Sequence, residues 1–475
     1  MSNYQAYAVA AGHRKTAAAA ELILQRGGNA FDAILAAMMM SFVAEPLLAT
    51  PGGGGFLLVA GPSQTPKLLD FFSDTPSIPA AEIDQDNIDF YPIVGDFGTR
   101  SQEFHIGHAA AAVPAVPAGI FKIHQTLCSL PLNEIAQPAI EMAERGIQIN
   151  PQQAYVAMIL KPILDATAES KALFNGYNSG TVWKNPQLAE FLDTLSKSDH
   201  NWFYQGEIAA AITAQRDGLL SEIDFNDYQC LVREPLKLSL GQYQLYTNPQ
   251  PSSGGYLVFE QLKRLKSNST ASAVLEAMQH ADDLKRNPMA EVTRGTTHMS
   301  VTDRMGNLAS LTLSNGEGNG QVVAGCGFML NNFLGEEDIN SGGFFSWQKK
   351  QRMQSMMSPT LIIHPEQQVA LGTGGSNRIK TSLFQVINHL VNGQKPLKHA
   401  VEAPRMHFEN GHLDIEPGFN SEDLAQLKKQ HPIYSEWHNH NLYFGGVNAV
   451  QTGTSTAAVG DFRRHGCGIV VSRKA

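Results

Sequence analysis

The sequence predicts an α/β fold built from packed layers, on three observations. Strand and helix signals alternate through the first 60 residues. At Thr296 the pattern switches to the every-second-residue alternation of a strand, followed by a turn and a returning strand. A helical stretch then sits between further strand pairs towards the C-terminus, so both element types recur along the chain and must pack on one another.

Each element has a local cause. Tyr7 to Ala11 is a short apolar run, and Ala17 to Arg26 is a strong helix former stopped by Gly27-Gly28. Asn29 can cap a second helix that runs to about Ala44. That helix is apolar on nearly every side, which predicts that it lies inside the protein. Thr50-Pro51-Gly52-Gly53-Gly54-Gly55 leads into the strand-like Phe56-Leu57-Leu58-Val59. Gln85 to Gly107 turns polar and irregular and is expected to be a long surface loop. Residues 133–220 read as mostly helical. Gln242 to Tyr246 resembles a strand, and Pro249 to Gly255 is a turn before another helix. Residues 265–295 are polar and helix-prone, with no strong apolar strand.

Thr297 to Thr302 is expected to be a half-buried strand, Arg304-Met305-Gly306-Asn307 a turn, and Leu308 to Leu313 the partner strand. Thr360 to His364 and Gln368 to Leu371 predict a second hairpin. Ile379 to Leu390 predicts a helix, and Tyr443 to Gln451 and Gly468 to Ser472 the closing strands.

Composition excludes several function classes. Of the 475 residues 43% are hydrophobic and 17% charged, against about 25% charged in an average soluble domain, so a large core can form. The net charge is −9 and no Lys/Arg-dense stretch supplies a nucleic-acid footprint. The apolar stretch from Ala30 to Ala49 is broken by Asp32 and Glu45, which argues against a membrane span. Cys128, Cys230, Cys326 and Cys467 lie far apart and form neither a disulfide framework nor a zinc ribbon. With an N-terminus unlike a signal peptide, they lead us to expect a cytoplasmic protein.

None of the sixteen histidines has a metal-ligand spacing, so no metal and no cofactor is expected. The glycines from Gly52 to Gly55 lack the Lys-Ser/Thr of a phosphate loop, and no G-x-S-x-G elbow is present. A second cluster, Gly372-Thr373-Gly374-Gly375-Ser376-Asn377-Arg378, lies between a strand and a helix. Backbone N–H groups there can hold a developing oxyanion, although a tight turn explains the same glycines. The Gly295-Thr296 bond opens another possibility. If it is cut, a threonine at a new N-terminus carries nucleophile and base together, because its α-amine, of pKa about 8, accepts the hydroxyl proton. Threonine is common at strand starts, so the pattern alone leaves this as one reading among several.

Several segments taken together resemble the γ-glutamyltranspeptidase family over nearly the whole chain. They are Gly27 to Ala33, Glu45-Pro46, Gly52 to Phe56, Val113 to Gly119, Arg233-Glu234-Pro235-Leu236 and Pro251 to Gly255. In the second half Thr296 to Val301, Gly306-Asn307, Leu330-Asn331-Asn332, Ser355 to Thr360 and Glu402 to Arg405 follow in family order. The resemblance implies a four-layer αββα sandwich of the N-terminal-nucleophile hydrolase type. It also implies cleavage between Gly295 and Thr296 into a large subunit, residues 1–295, and a small subunit, residues 296–475. Thr296 is then the nucleophile, Ser314 the hydroxyl bonded to it, and Gly374 and Gly375 the oxyanion donors, with Ser376 the neighbour if the register slips by one. Ser355 matches a carboxylate-binding serine and Asn315 a family asparagine after a short deletion. Glu336 or Glu337 matches the acid that holds a glutamyl α-amine.

Two departures stand out. The family arginine that grips the substrate α-carboxylate is Phe72, in Asp70-Phe71-Phe72-Ser73, and the second binding serine is Met356. The implied activity is transfer of a γ-glutamyl or similar acyl group from a small amide, such as glutathione, to water or an amine. An acylase for a glutaryl- or oxamate-like amide is the alternative. The rivals from other classes are a non-catalytic metabolite-binding relative and a nucleotide-binding enzyme built on Gly52 to Gly55.

Overall fold

The computed structural model describes residues 6–62, 64–96, 101–267, 269–284, 295–337, 339–340 and 342–472. Two antiparallel sheets lie face to face. The strands of the first are β1 (Ala6–Ala11), β2 (Gly54–Ala60), β3 (Lys67–Phe71), β4 (Leu231–Arg233), β7 (Thr296–Thr302), β8 (Leu308–Ser314) and β13 (Cys467–Ser472). Those of the second are β5 (Leu236–Leu240), β6 (Tyr243–Thr247), β9 (Thr360–Ile363), β10 (Gln367–Gly374), β11 (Gly446–Gly453) and β12 (Ala457–Val459). The first sheet runs β13-β1-β7-β8-β2-β3-β4 and the second β12-β11-β10-β9-β6-β5. Helices α1 (Arg14–Gln25) and α2 (Ala30–Ala44) cover the first sheet; α3 (Gly254–Lys263) and α4 (Arg378–Val391) cover the second. This is the expected αββα sandwich.

Alternation along the strands sorts side chains into the layers. Val9, Met299, Val301 and Leu311 face the core shared with α2, whereas Ala8, Ala10, Leu58 and Leu308 face the second sheet. Helix α2 is buried at every position, as its all-round apolar sequence predicts, and Asn29 and Asp32 close a capping box at its start. β7 is likewise buried throughout, not half-buried as expected, because a central strand of a four-layer sandwich has no solvent face.

The expected surface loop from Gln85 to Gly107 is corrected in part. Tyr91–Asp96 pairs with Ser101–Ile106 as an antiparallel hairpin, and residues 97–100 lie outside the described residues. Burial of Phe104 and Ile106 drives the pairing; their alternation is short and is masked by polar neighbours. The helix-prone stretch holds a helix at Ala271–Leu284, while residues 285–294 lie outside the described residues. The strand expected from Tyr443 begins at Gly446, because Gly445 takes φ +78° and ends a short 3-10 turn there. Among the described residues no helix is long and apolar enough to cross a membrane.

One ion cluster joins segments distant in sequence. Arg352 pairs with Asp70 at 2.9 Å and Asp74 at 2.8 Å, and its guanidinium lies 5.2 Å from the Tyr228 ring centre. Arg233 shares Asp70 at 2.6 Å. Removing one partner of a buried pair strands the other charge. Arg352→Ala is therefore expected to lower unfolding free energy by about 3 to 5 kcal/mol in urea titrations. A change below about 1 kcal/mol would show that the cluster is solvated rather than buried.

Candidate active site

Register brings the candidate residues together. β7 and β8 pair with Thr296 opposite Ser314, so two hydroxyls meet at the open end of the hairpin. Thr296 Oγ1 donates to Ser314 Oγ at 3.3 Å. Ser314 Oγ donates to the Gly295 carbonyl oxygen at 2.8 Å and accepts the Gly316 N–H at 3.1 Å. A chain of hydroxyls thus runs from Thr296 to the carbonyl of the bond that precedes it. Both side chains are buried.

Glycines let backbone crowd this point. A Cβ on Gly374, the last residue of β10, would lie 2.0 Å from the Thr296 carbonyl oxygen. A Cβ on Gly295 would lie 2.2 Å from the Gly316 carbonyl oxygen. Gly375 takes φ +131° and Ser376 φ 54° as the chain turns into α4, whose first turn has no side-chain cap. Helix α4 starts three residues beyond Gly375, and a helix N-terminus carries a partial positive charge.

Charged groups surround the hydroxyls. Arg464 Nη1 donates to the Thr296 carbonyl oxygen at 3.3 Å, and its Nε donates to Leu442 at 3.3 Å. Burial, with Arg378 nearby, pulls its pKa down to about 10. Asp461 fixes the turn that carries it, accepting from Arg463 N at 3.0 Å, Val447 N at 2.9 Å and Arg405 Nη2 at 2.6 Å. Glu45 accepts from Thr297 Oγ1 at 2.6 Å and Thr16 Oγ1 at 2.8 Å, and burial raises its pKa. His298 is held by Thr312 and Ser300, each at 2.8 Å, and burial pushes its pKa down to about 3. It is a neutral buried ring with both nitrogens engaged, so it does not serve Thr296 as a base.

The cleft at Thr296 has a volume of about 950 Å³ including its mouth. Leu47, Leu48, Val156, Ile159, Leu160 and Tyr177 form its apolar wall; Glu45, Glu317, Gly374 and Arg464 supply polar lining. The other candidates fall around it. Glu336 is buried, with an oxygen 2.1 Å from where a Gly316 Cβ would stand, whereas Glu337 is exposed. Asn315 accepts from Thr50 Oγ1 at 2.7 Å and donates to Leu330 at 3.4 Å, tying the Gly52–Gly55 loop to β8. Ser355 Oγ accepts the Met357 N–H at 3.1 Å, and Ser355 does not line the cleft. Phe72 is buried with its ring centre 5.4 Å from Phe56 and 4.7 Å from Phe333; Met356 belongs to the same apolar cluster.

Sequence reasoning missed Arg464 and Glu317 and gave Glu45 no role. Glu45 carried a faint signal, as a carboxylate ending an otherwise apolar helix. Arg464, in Arg463-Arg464-His465, carried none.

Comparison with known proteins gives a consistent picture. The family model described as gamma-glutamyltranspeptidase matches residues 16–286 and 260–471. A glutathione hydrolase proenzyme of Pseudomonas aeruginosa is 28% identical over 85% of this chain and 83% of its own. An acylase ACY 1 proenzyme of Pseudomonas sp. strain V22 is 27% identical over 95% of this chain and 91% of its own. The crystal structure of a cephalosporin acylase from Bacillus halodurans superposes with a TM-score of 0.82 at 20% identity, covering 99% of this chain and 96% of that one.

Proposed function

This chain belongs to the γ-glutamyltranspeptidase family of N-terminal-nucleophile hydrolases, and from that premise we propose that Thr296 is its nucleophile, freed by self-cleavage after Gly295. The observation that carries this is the hydroxyl chain from Thr296 through Ser314 to the Gly295 carbonyl. Thr296 Oγ attacks the Gly295 carbonyl carbon, Ser314 polarises that carbonyl, and the peptide C–N bond gives way to an ester on Oγ. Water then hydrolyses the ester and leaves Thr296 with a free α-amine. In turnover the amine takes the Oγ proton as Oγ attacks a substrate amide, and N–H groups at Gly374–Gly375 face the oxyanion. Collapse expels the amine product, which takes the proton from the α-ammonium. Water or a second amine then releases the acyl group.

The acyl group is proposed to be predominantly apolar. The self-cleavage ester and the substrate acyl-enzyme are the same bond, so the substrate acyl group occupies the side where Gly295 lies. Gly295 lies between the backbone carbonyls of Gly316 and Leu47, which a Cβ there would meet at 2.2 and 2.7 Å. The wall of Leu47, Leu48, Val156, Ile159 and Leu160 continues from that point. Phe72, in place of a carboxylate-binding arginine, is committed to an aromatic stack. A γ-glutamyl amide, after the relative named a glutathione hydrolase, is the second reading, favoured by the buried Glu336 beside Gly316.

N-terminal sequencing after prolonged incubation is expected to find a fragment beginning at Thr296. The matured enzyme is then expected to favour hexanoyl-p-nitroanilide over the γ-glutamyl and glutaryl anilides. Each added methylene up to that length should raise kcat/KM about fourfold, the equivalent of about 0.8 kcal/mol of burial. An uncut chain would overturn the nucleophile assignment. Fastest turnover of the γ-glutamyl anilide would overturn the apolar class alone.

A further inference from the structure

The free α-amine works as a base only while it is uncharged, yet an ordinary α-amine of pKa about 7.7 to 8.0 is mostly protonated at neutral pH. We propose that Arg464 is a positioning residue that keeps the Thr296 α-amine in its uncharged, proton-accepting form. This rests on Thr296 becoming a new N-terminus, as argued above.

Arg464 is anchored to the residue it acts on, since its guanidinium donates to the carbonyl of Thr296 itself at 3.3 Å. Within one residue the carbonyl oxygen and nitrogen are separated by only three bonds, so the guanidinium charge stays within about 7 Å of the amine. The turn that carries it cannot drift. The Asp461 carboxylate binds four backbone or guanidinium donors, and Arg463 grips Glu416 through two bonds of 2.7 and 2.6 Å. Its aliphatic stem fills the space left by Gly446, where a Cβ would lie 2.6 Å from Cδ. Its N–H groups bond the uncharged Leu442 and Thr296 carbonyl oxygens, while the carboxyl groups of Asp461 and Glu45 act on its charge without bonding it.

The remaining charged groups around Thr296 act on the same amine, while Arg464 is bonded to that residue itself. Glu45, at the end of α2, is pushed by burial towards its neutral acid form. Glu317 and Glu336, from the segments after β8, have interaction partners of their own. Burial also lowers the pKa of His13, at the cleft mouth, to about 4, and His298 behind the strand is neutral. Tyr177, across the cleft, is held in its neutral phenol form by burial. His465 follows Arg464 at the exposed rim, and Arg378, at the start of α4, adds positive charge of the same sign. A cation beside an amine favours the uncharged amine, because protonation would set two positive charges side by side. At this separation in a partly buried site the effect is about one pH unit.

The test is the pH dependence of kcat/KM for the matured enzyme, its N-terminal Thr296 first verified by sequencing. In Arg464→Met the acidic limb, which reports protonation of the base, should move about one unit to higher pH. The high-pH plateau and its KM should stay within about twofold, and Arg464→Lys should restore most of the shift. A limb that does not move, with KM raised instead, would make Arg464 a substrate anchor and overturn the proposal. If neither variant matures, the wild-type amine decides. Its carbamylation by cyanate, followed by mass at the Thr296 N-terminus, should titrate below about 7. Titration at the ordinary value near 8 overturns the proposal whatever the variants do. Absence of any new N-terminus in the wild type would instead defeat the underlying nucleophile reading.

Discussion

Thr296→Ala is expected to give a single uncut chain with no measurable amidase turnover. One hydroxyl does both jobs: it attacks the Gly295 carbonyl during maturation and the substrate amide afterwards. No other hydroxyl takes its place. Ser314 Oγ, bonded to Thr296 Oγ1 at 3.3 Å, donates to Gly295 and accepts the Gly316 N–H, so its geometry suits polarising a carbonyl and not attacking it. The expected fall in turnover is on the order of 10⁴-fold or more, as for other deleted nucleophiles. The fold should survive, because removing one buried hydroxyl and methyl costs about 1 to 2 kcal/mol. Intact mass, circular dichroism and an anilide assay on one preparation read all three. Cleavage at wild-type rate in Thr296→Ala would place the nucleophile elsewhere. Thr296→Ser, which keeps the hydroxyl and loses the methyl, is expected to mature more slowly and to retain partial activity.

What could be read in advance follows the range of the signal. Period-two alternation around a turn predicts β7 and β8, and glycine followed by a helix pattern predicts the turn into α4. These features each span fewer than about twenty consecutive residues. The burial of β7 on both faces could not be read this way, because what covers its second face is β10 and β11, whose sequences carry no mark of their partner. The same holds for Arg464, which reaches Thr296 across 168 positions of sequence, a juxtaposition set by β11, β12 and the turn that follows β12. Phe72 shows the converse. Its identity announced that a guanidinium was missing, but only its stacking with Phe56 and Phe333 shows that the space is filled rather than open. The hairpin at Tyr91–Asp96 was hidden for a third reason. Its stability comes from burial of Phe104 and Ile106 in a polar stretch, and composition averages that away.

Gly374→Ala is expected to slow self-cleavage at least about a hundredfold, the scale on which oxyanion-hole lesions act. The cause is space and not backbone conformation. The added methyl would stand 2.0 Å from the Thr296 carbonyl oxygen and 3.0 Å from Arg464 Nη1, against backbone on one side and a fixed guanidinium on the other. β10 cannot retreat to make room, because Gly374 pairs with Gly446 across the ladder. Gly446 in turn is packed against the Arg464 stem. The strain must therefore push the Thr296 peptide away from β10 and out of line with Ser314 and the Gly295 carbonyl. Gly241→Ala is the control. Gly241 also sits in a turn, with φ +59°, but nothing lies within 4 Å of its added methyl. That substitution should cost about 1 kcal/mol of stability and leave maturation unchanged. The appearance of the two fragments with time on denaturing gels reads both variants. If Gly374→Ala matures as fast as Gly241→Ala, the close contact between β10 and the nucleophile is not part of the chemistry. The oxyanion site would then have to be sought on the Gly316 side of Thr296.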